Sequence, residues 1–221
     1  MAAPAAVLDD LRTRLARIER GAPGHAPPSL SLSPLIDEHL PGGGLARGAL
    51  HEVQAADPGA GLAFCALVLA RTAGPVLWIA PRPDSVWAPG LFSLGLGPDR
   101  LLLAHYKAPA DGLWAMEEAL RCPALGGAVL ELDRIDMTAT RRLQLAAEGS
   151  LRIGLLLCPA AAHGPSSAVT RWRVGSLPDA AAQPRWQLDL LRCRARRPAA
   201  WQALWEKGEL QVEGAPLARR A

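Results

Sequence analysis

Between residues 48 and 158, short runs of apolar residues alternate with segments whose apolar residues recur at helical spacing. The apolar runs are GALHEVQA, PVLWIAP, RLLLAHY, GGAVLEL and RIGLLLC. Runs that are continuous, and not alternating with polar residues, are typical of parallel strands that helices cover on both faces. Because such strands are joined by right-handed crossovers, the pattern predicts an α/β fold with a mostly parallel sheet flanked by helices.

The first strand leads into the segment ADPGAGLAFCALVLA, which has the layout of a phosphate-binding loop followed by an apolar helix. A working loop has the pattern G-x-x-x-x-G-K-[ST]: backbone N–H groups cradle the phosphates, the lysine meets the terminal phosphates and the hydroxyl holds magnesium. Gly59 and Gly61 keep the turn, but the first glycine is Ala56, the lysine is Leu62 and the hydroxyl residue is Ala63. We therefore expect no ATP hydrolysis.

No other catalytic site is indicated. A dinucleotide-binding loop needs a third glycine where this chain has Phe64. Glu131 and Asp133 lie at the end of an apolar strand, where an ATPase has its magnesium-binding acid. The phosphate-loop segment lacks the hydroxyl that would hold the same magnesium ion. We therefore favour the interpretation that these acids mark the end of a strand and the cap of the next helix. The five histidines and four cysteines have neither metal-ligand nor disulfide spacing. We expect no metal, no cofactor and no enzymatic activity.

Composition divides the chain into four parts. Residues 1–20 have the spacing of an amphipathic helix, and residues 21–33 have the proline, glycine and serine content of a linker that tethers it. Residues 34–184 form the predicted α/β core, and residues 185–221 a basic C-terminal strand and tail. No apolar run reaches the roughly 18 residues that a membrane span needs, and no signal peptide is recognisable. We expect a cytoplasmic protein.

After the core strands, AVTRWRVGSLP and RWQLDLLRCR predict an antiparallel hairpin at the sheet edge, and WQALWEKGELQVE predicts a helical turn and a last strand. Since net charge is only +3, basic residues must be clustered to bind an acidic partner. In a strand, Arg192, Arg194 and Arg196 would project from one face. The candidate binding residues are Arg141, Arg142, Arg171, Trp172, Arg173, Arg192, Arg194, Arg196 and Arg197.

Three interpretations of these residues stay open. Arginines beside Trp172 and Trp186 would hold single-stranded nucleic acid by phosphate pairing and base stacking. The same guanidinium groups would equally hold an acidic surface of a partner protein. The third interpretation is a solvated face without a partner.

Four stretches, in order, resemble the ImuA family, which is also described as SulA-like or RecA-like damage-inducible mutagenesis proteins of bacteria. The stretches are LPGGGLARGALHEV, ATRRLQLAAEGS, AVTRWRV and WQLDLLRCRARRPAAW, and the resemblance runs from about residue 34 to residue 206. It implies a RecA-like core, induction in the SOS response and a place in translesion DNA synthesis. The partners that it implies are a Y-family-like ImuB protein and an error-prone C-family polymerase subunit, with RecA as a further candidate.

Residues and resemblance together predict a non-catalytic, RecA-like accessory protein of SOS-induced, error-prone DNA synthesis, with a degenerate phosphate loop. Two other functions stay open. One is a degenerate phosphate-loop protein that still binds ATP or single-stranded DNA. The other is an inhibitor of cell division, which the SulA-like description suggests.

Overall fold

The computed structural model describes residues 28–161, 164–178, 183–194 and 196–213. The strands are β1 (Ser29–Leu30), β2 (Leu45–Ala46), β3 (Ala49–Ala55), β4 (Val76–Ala80), β5 (Leu101–His105), β6 (Gly127–Glu131), β7 (Ile153–Pro159), β8 (Thr170–Ser176), β9 (Arg185–Cys193), β10 (Ala199–Glu206) and β11 (Glu209–Glu213). The helices are α1 (Pro34–Asp37), α2 (Pro58–Ala70), α3 (Ala88–Phe92), α4 (Pro109–Arg121) and α5 (Met137–Ala147).

Nine of the strands form one sheet in the order β11-β10-β9-β8-β3-β7-β6-β4-β5, and β1 and β2 form a small antiparallel pair. The six strands from β8 to β5 are mutually parallel. Strands β9, β10 and β11 extend this sheet in antiparallel steps. The prediction of a mostly parallel sheet with C-terminal antiparallel strands is therefore confirmed.

Helices cover the two faces of the parallel part. One core cluster contains the apolar side of α2 together with three fully buried tryptophans, Trp78, Trp172 and Trp201. The second cluster lies on the other face, where Met116 and Leu120 of α4 and Leu143 of α5 pack on the sheet. No helix in the described ranges is long and apolar enough to cross a membrane.

Two local predictions are wrong. The β8–β9 hairpin is not at the sheet edge, because β8 pairs in parallel with β3 and β9 pairs with β10. The segment predicted as a helical turn is strand β10, which turns at Lys207 and Gly208 into β11. Trp201 and Ala203 are buried while Gln202 and Leu204 are partly exposed, which is the period of two that belongs to a strand.

The predicted segment boundaries stay predictions. The N-terminal helix over residues 1–20 lies outside the described residues, as does most of the linker over 21–33. The sheet itself runs without a break past the boundary between residues 184 and 185, since β8 and β9 are paired along seven residues.

Candidate functional site

The loop between β3 and α2 carries a carboxylate at the N-terminus of α2, the end of a helix at which a phosphate loop binds its anion. Asp57 caps α2, and its side chain accepts a hydrogen bond from the backbone N–H of Ala60 (2.9 Å). The same carboxylate accepts from the backbone N–H (2.7 Å) and the hydroxyl (3.0 Å) of Ser176 at the end of β8. A helix N-terminus with free N–H groups attracts anions. Here the anion at the N-terminus of α2 is the Asp57 carboxylate.

Hydrogen bonding keeps this carboxylate ionised. Partial burial alone would raise the pKa of Asp57, but the N–H groups of Ser176 and Ala60 and the hydroxyl of Ser176 donate to it. Together these three hydrogen bonds hold the pKa below its ordinary value. The negative charge at the start of α2 is therefore permanent at neutral pH.

Packing explains the remaining residues of the loop. A Cβ on Gly61 would lie 2.6 Å from the Cβ of Ala55 and 2.7 Å from Cδ1 of Leu157, so glycine is needed here for close approach of helix and sheet. Leu62, at the lysine position, is partly buried and packs against the core, and Ala63 is buried. The three positions thus serve the apolar interior.

Replacing Asp57 with alanine is expected to lower the free energy of unfolding at neutral pH by about 1–2 kcal/mol, because α2 loses its cap and the bond to β8. Since the folded-state pKa is lowered, this stabilisation is complete above the ordinary carboxyl pKa of about 3.9 and is lost as pH falls through the folded value. Denaturant unfolding of both proteins at neutral and acid pH measures the difference. Asp84→Ala is the control, because Asp84 is exposed and its ion pair is with the exposed Arg82, and its effect should be small at either pH.

The acid that resembles an ATPase magnesium ligand is engaged in the core. The indole Nε1 of Trp78 donates to the Glu131 carboxylate (2.6 Å), and the Tyr106 hydroxyl donates to the Glu131 carbonyl oxygen (2.7 Å). Burial raises the pKa of Glu131, against the opposing effects of that indole and of the Arg82 guanidinium. Glu131 is the last residue of β6, and strand β7 lies between β6 and β3, the strand that precedes the loop at Asp57. Asp133 is exposed, and no group of three metal-ligating side chains occurs within the described ranges.

Two arginines on neighbouring strands hold the loop that leads into β8. Arg171 of β8 and Arg192 of β9 lie opposite each other in the antiparallel register. The Nη2 group of Arg171 donates to the carbonyl oxygen of Gly164 (2.7 Å), and that of Arg192 donates to the carbonyl oxygen of Ala168 (2.6 Å). Both arginines are partly exposed, so they fix the loop and still present positive charge to solvent.

Further positive charge lies beside this pair. Burial lowers the pKa of Arg192, and the guanidinium groups of Arg171 and Arg194 lower it further. Arg194, Arg196 and Arg197 are exposed. We call Arg171, Arg192, Arg194 and Arg196 the arginine cluster.

The fold and the sequence both have known relatives. The crystal structure of the RadB recombinase superposes with a TM-score of 0.60 at 13% identity, covering 80% of this chain and 95% of that chain. No family model matches the chain. Protein ImuA from two strains of Caulobacter vibrioides, NA1000 / CB15N and ATCC 19089 / CIP 103742 / CB 15, is 36% identical in an alignment of length 195 that covers 76% of this chain and 79% of each relative. The chain belongs to the ImuA family. Its fold is RecA-like, as the sequence predicts.

In this ImuA-family chain, two expectations about the cationic residues are wrong. Strand β9 ends at Cys193, so Arg194 and Arg196 lie in the turn beyond it and form no row with Arg192. Trp172 is fully buried between Phe64 and Trp201, with ring centroids 5.4 and 6.0 Å away. Because β8 is an interior strand, its indole faces the core and offers no surface for base stacking.

The other predicted residues are spread over two places. Arg173 is partly exposed on the same face of β8 as Arg171. Arg142 of α5 pairs through Nε with the Glu117 carboxylate of α4 (2.5 Å), while Arg141 is exposed. Arg142 is therefore a link between two helices, and Arg141 is the freer of the two for a partner.

A cavity of about 540 Å³ lies beside Arg171, and several of the residues that line it are absent from the predicted site. Arg134 and Glu52 line it together with Arg171 and Cys158. Glu52 is buried and lies with Oε1 2.9 Å from Nε of Arg171. Burial raises the pKa of Cys158 to about 12, so this thiol stays protonated. The missed signal is Glu52 itself, an acid in a strand that is buried on both faces, which requires a basic partner.

Proposed function

We propose that this ImuA-family chain is a non-catalytic accessory protein of SOS-induced, error-prone translesion DNA synthesis. It acts in the cytoplasm by binding ImuB-like or RecA-like partners, with an error-prone C-family polymerase subunit as a further partner. The observation that carries the non-catalytic part is the Asp57 carboxylate at the N-terminus of α2, bonded to Ala60 and Ser176. Membership of the ImuA family supports the role in damage-induced mutagenesis.

Electrostatics argue against nucleotide at this loop. Triphosphate bound at the N-terminus of α2 would meet the ionised Asp57, and like charges at contact distance repel. The two lysines of the chain give no compensation, because Lys107 follows β5 and Lys207 lies in the β10–β11 turn. A nucleotide would have to displace a carboxylate that already has three hydrogen-bond donors.

The arginine cluster is the surface that we assign to partners, and an acidic protein surface suits it better than single-stranded DNA. Binding of single strands combines phosphate contacts with aromatic stacking, but Trp172 and Trp186 are buried. The acids Glu52 and Asp136 also line the cavity next to the cluster, and they would repel a phosphate backbone. Paired charges of both signs are typical of a protein interface.

Co-purification from DNA-damaged cells tests this assignment. The full chain is expected to retain an ImuB-like or RecA-like protein, identified by mass spectrometry, well above an unrelated bait of similar charge. If no polymerase-related or RecA-like protein is enriched, the proposal fails. Filamentous cells on overproduction, without such enrichment, would favour the division-inhibitor alternative.

Rebuilding the phosphate loop is expected not to create an ATPase. The variant Ala56→Gly, Leu62→Lys, Ala63→Thr restores the pattern, but hydrolysis also needs a positioned water and groups that stabilise charge on the transferred phosphate. Asp57 keeps its place in this variant, so weak nucleotide binding is the most that we expect. Phosphate release by the purified variant is the measurement, and steady turnover above the unmodified chain would contradict the account.

A further inference from the structure

Strand β5 lies at one end of the nine-stranded sheet, and no described strand pairs with its outer edge. It pairs only with β4 among the described residues. The N–H of Val76 bonds to the carbonyl of Arg100, and the N–H of Tyr106 bonds to the carbonyl of Ala80. Hydrogen bonding along a strand alternates in direction, so even-numbered residues face β4. The backbone groups of Leu101, Leu103 and His105 therefore face outward.

The side chains of this edge are apolar on both faces of the sheet. Leu102 is 51% exposed and Leu103 is 44% exposed, and they point to opposite faces. No charged side chain occurs from Leu101 to Ala104. Proteins normally protect a sheet edge with charged residues, proline, a bulge or a covering segment, and β5 has no bulge or proline.

We propose that β5 pairs in antiparallel fashion with β5 of a second copy, about a two-fold axis at Leu103. This assembly goes beyond the partner binding proposed above and does not depend on it. The outward backbone groups are symmetric about Leu103. In an antiparallel pairing, the backbone N–H and C=O groups of Leu103 therefore bond to those of Leu103 in the second copy, and the groups of Leu101 bond to those of His105 in the second copy. Leu102 then lies opposite Ala104 of the second copy, where cross-strand apolar contact stabilises the pair. Such an interface is isologous, and it closes at two subunits.

Charges at the two ends of the strand support this occupant. In an antiparallel pairing centred on Leu103, the turn that carries Asp99 lies beside the loop that carries Lys107 of the second copy, and the reverse holds at the other end. Both side chains are exposed, and neither forms an ion pair within the described part of the chain. The opposite charges meet twice in the dimer, whereas a parallel pairing would place like charges together. Complementary charge at the rim fixes register and orientation.

Sedimentation velocity of the full purified chain over a range of concentrations tests the proposal. The unmodified chain is expected to show a monomer–dimer equilibrium. Leu103→Glu places two carboxylates at the axis and should weaken the dimer by at least about tenfold. Leu145→Glu is the matched control, and the dimer should persist in it. Leu145 is 59% exposed on α5, and α5 contacts β3, which three strands separate from β5 in the sheet.

A charge exchange tests the register. Asp99→Lys and Lys107→Asp should each weaken the dimer by about three- to tenfold, since each brings like charges together. The double variant Asp99→Lys with Lys107→Asp should return the dissociation constant to within about twofold of the unmodified chain. Circular dichroism of each variant checks that it remains folded.

The proposal is overturned by a chain that stays monomeric at every concentration, or by a dimer that Leu103→Glu does not weaken. A dimer that Leu103→Glu weakens but the double variant does not restore would overturn the antiparallel register. Oligomers that grow beyond two subunits through this edge would also contradict it, because a two-fold pairing of β5 leaves no edge of β5 for a third copy.

Discussion

Replacing Trp172 with alanine is expected to lower the free energy of unfolding by about 3–5 kcal/mol. The side chain is fully buried and packs between Phe64 and Trp201, so its removal leaves a large cavity in an interior strand. Its indole Nε1 also donates to the Thr170 hydroxyl (2.8 Å), which is hydrogen-bonded to His51 as well (2.8 Å). Denaturant-induced unfolding of the purified proteins measures the loss.

Trp87→Ala is the control for this change, because Trp87 is 73% exposed and its replacement should alter stability by no more than about 0.5 kcal/mol. If Trp172→Ala kept its stability and instead lost affinity for single-stranded DNA, Trp172 would be a stacking platform. The interior position of β8 would then be contradicted.

Reversing charge in the exposed part of the arginine cluster is expected to abolish damage-induced mutagenesis and to leave the domain folded. The variant is Arg194→Glu with Arg196→Glu, since both side chains are exposed. Arg192 is left unchanged because it holds the carbonyl of Ala168. Exposed charges contribute only about 0–1 kcal/mol to folding, but reversed charges at an interface turn attraction into repulsion worth several kcal/mol. Mutation frequency after DNA damage, partner binding and melting temperature are the measurements.

The matched control reverses two exposed cations elsewhere, Arg82→Glu with Lys207→Glu, for the same change in net charge. It should leave partner binding and mutagenesis unchanged. Normal mutagenesis in the Arg194→Glu, Arg196→Glu variant would mean that the cluster is a solvated face. If binding is lost, the salt dependence of binding to DNA and to the partner protein separates the two cationic interpretations.

The parallel part of the fold could be predicted because continuous apolar runs of strand length have few other solutions. The helix after β3 was likewise predictable from the proline and glycine turn and the apolar run that follows. The hydrogen bonds between the Asp57 carboxylate and Ser176 could not be predicted. Asp57 and Ser176 are separated by 119 residues, and nothing near Asp57 in the sequence indicates that β8 would bring a hydroxyl and an N–H to it.

The cationic region shows a signal that was present and was interpreted wrongly. In TRWRV, a period of two sends Arg171 and Arg173 to one face and Trp172 to the other. The prediction of one binding surface for all three residues is therefore wrong, because alternate side chains of a strand point to opposite faces. The end of β9 at Cys193 could not be predicted, because basic and small residues alternate through RCRAR as polar and apolar residues do in a strand. The turn is evident only from the bridge between Cys193 and Arg196.

The most direct test of a RecA-like scaffold that has lost its phosphate chemistry is a titration of the full chain with a fluorescent ATP analogue and magnesium. With Asp57 at the N-terminus of α2 and Leu62 in place of lysine, the account predicts no saturable binding at micromolar nucleotide. A RecA protein serves as the positive control. Saturable micromolar binding that a magnesium chelator reverses would contradict the account, because it would require phosphates to bind beside the ionised Asp57 carboxylate.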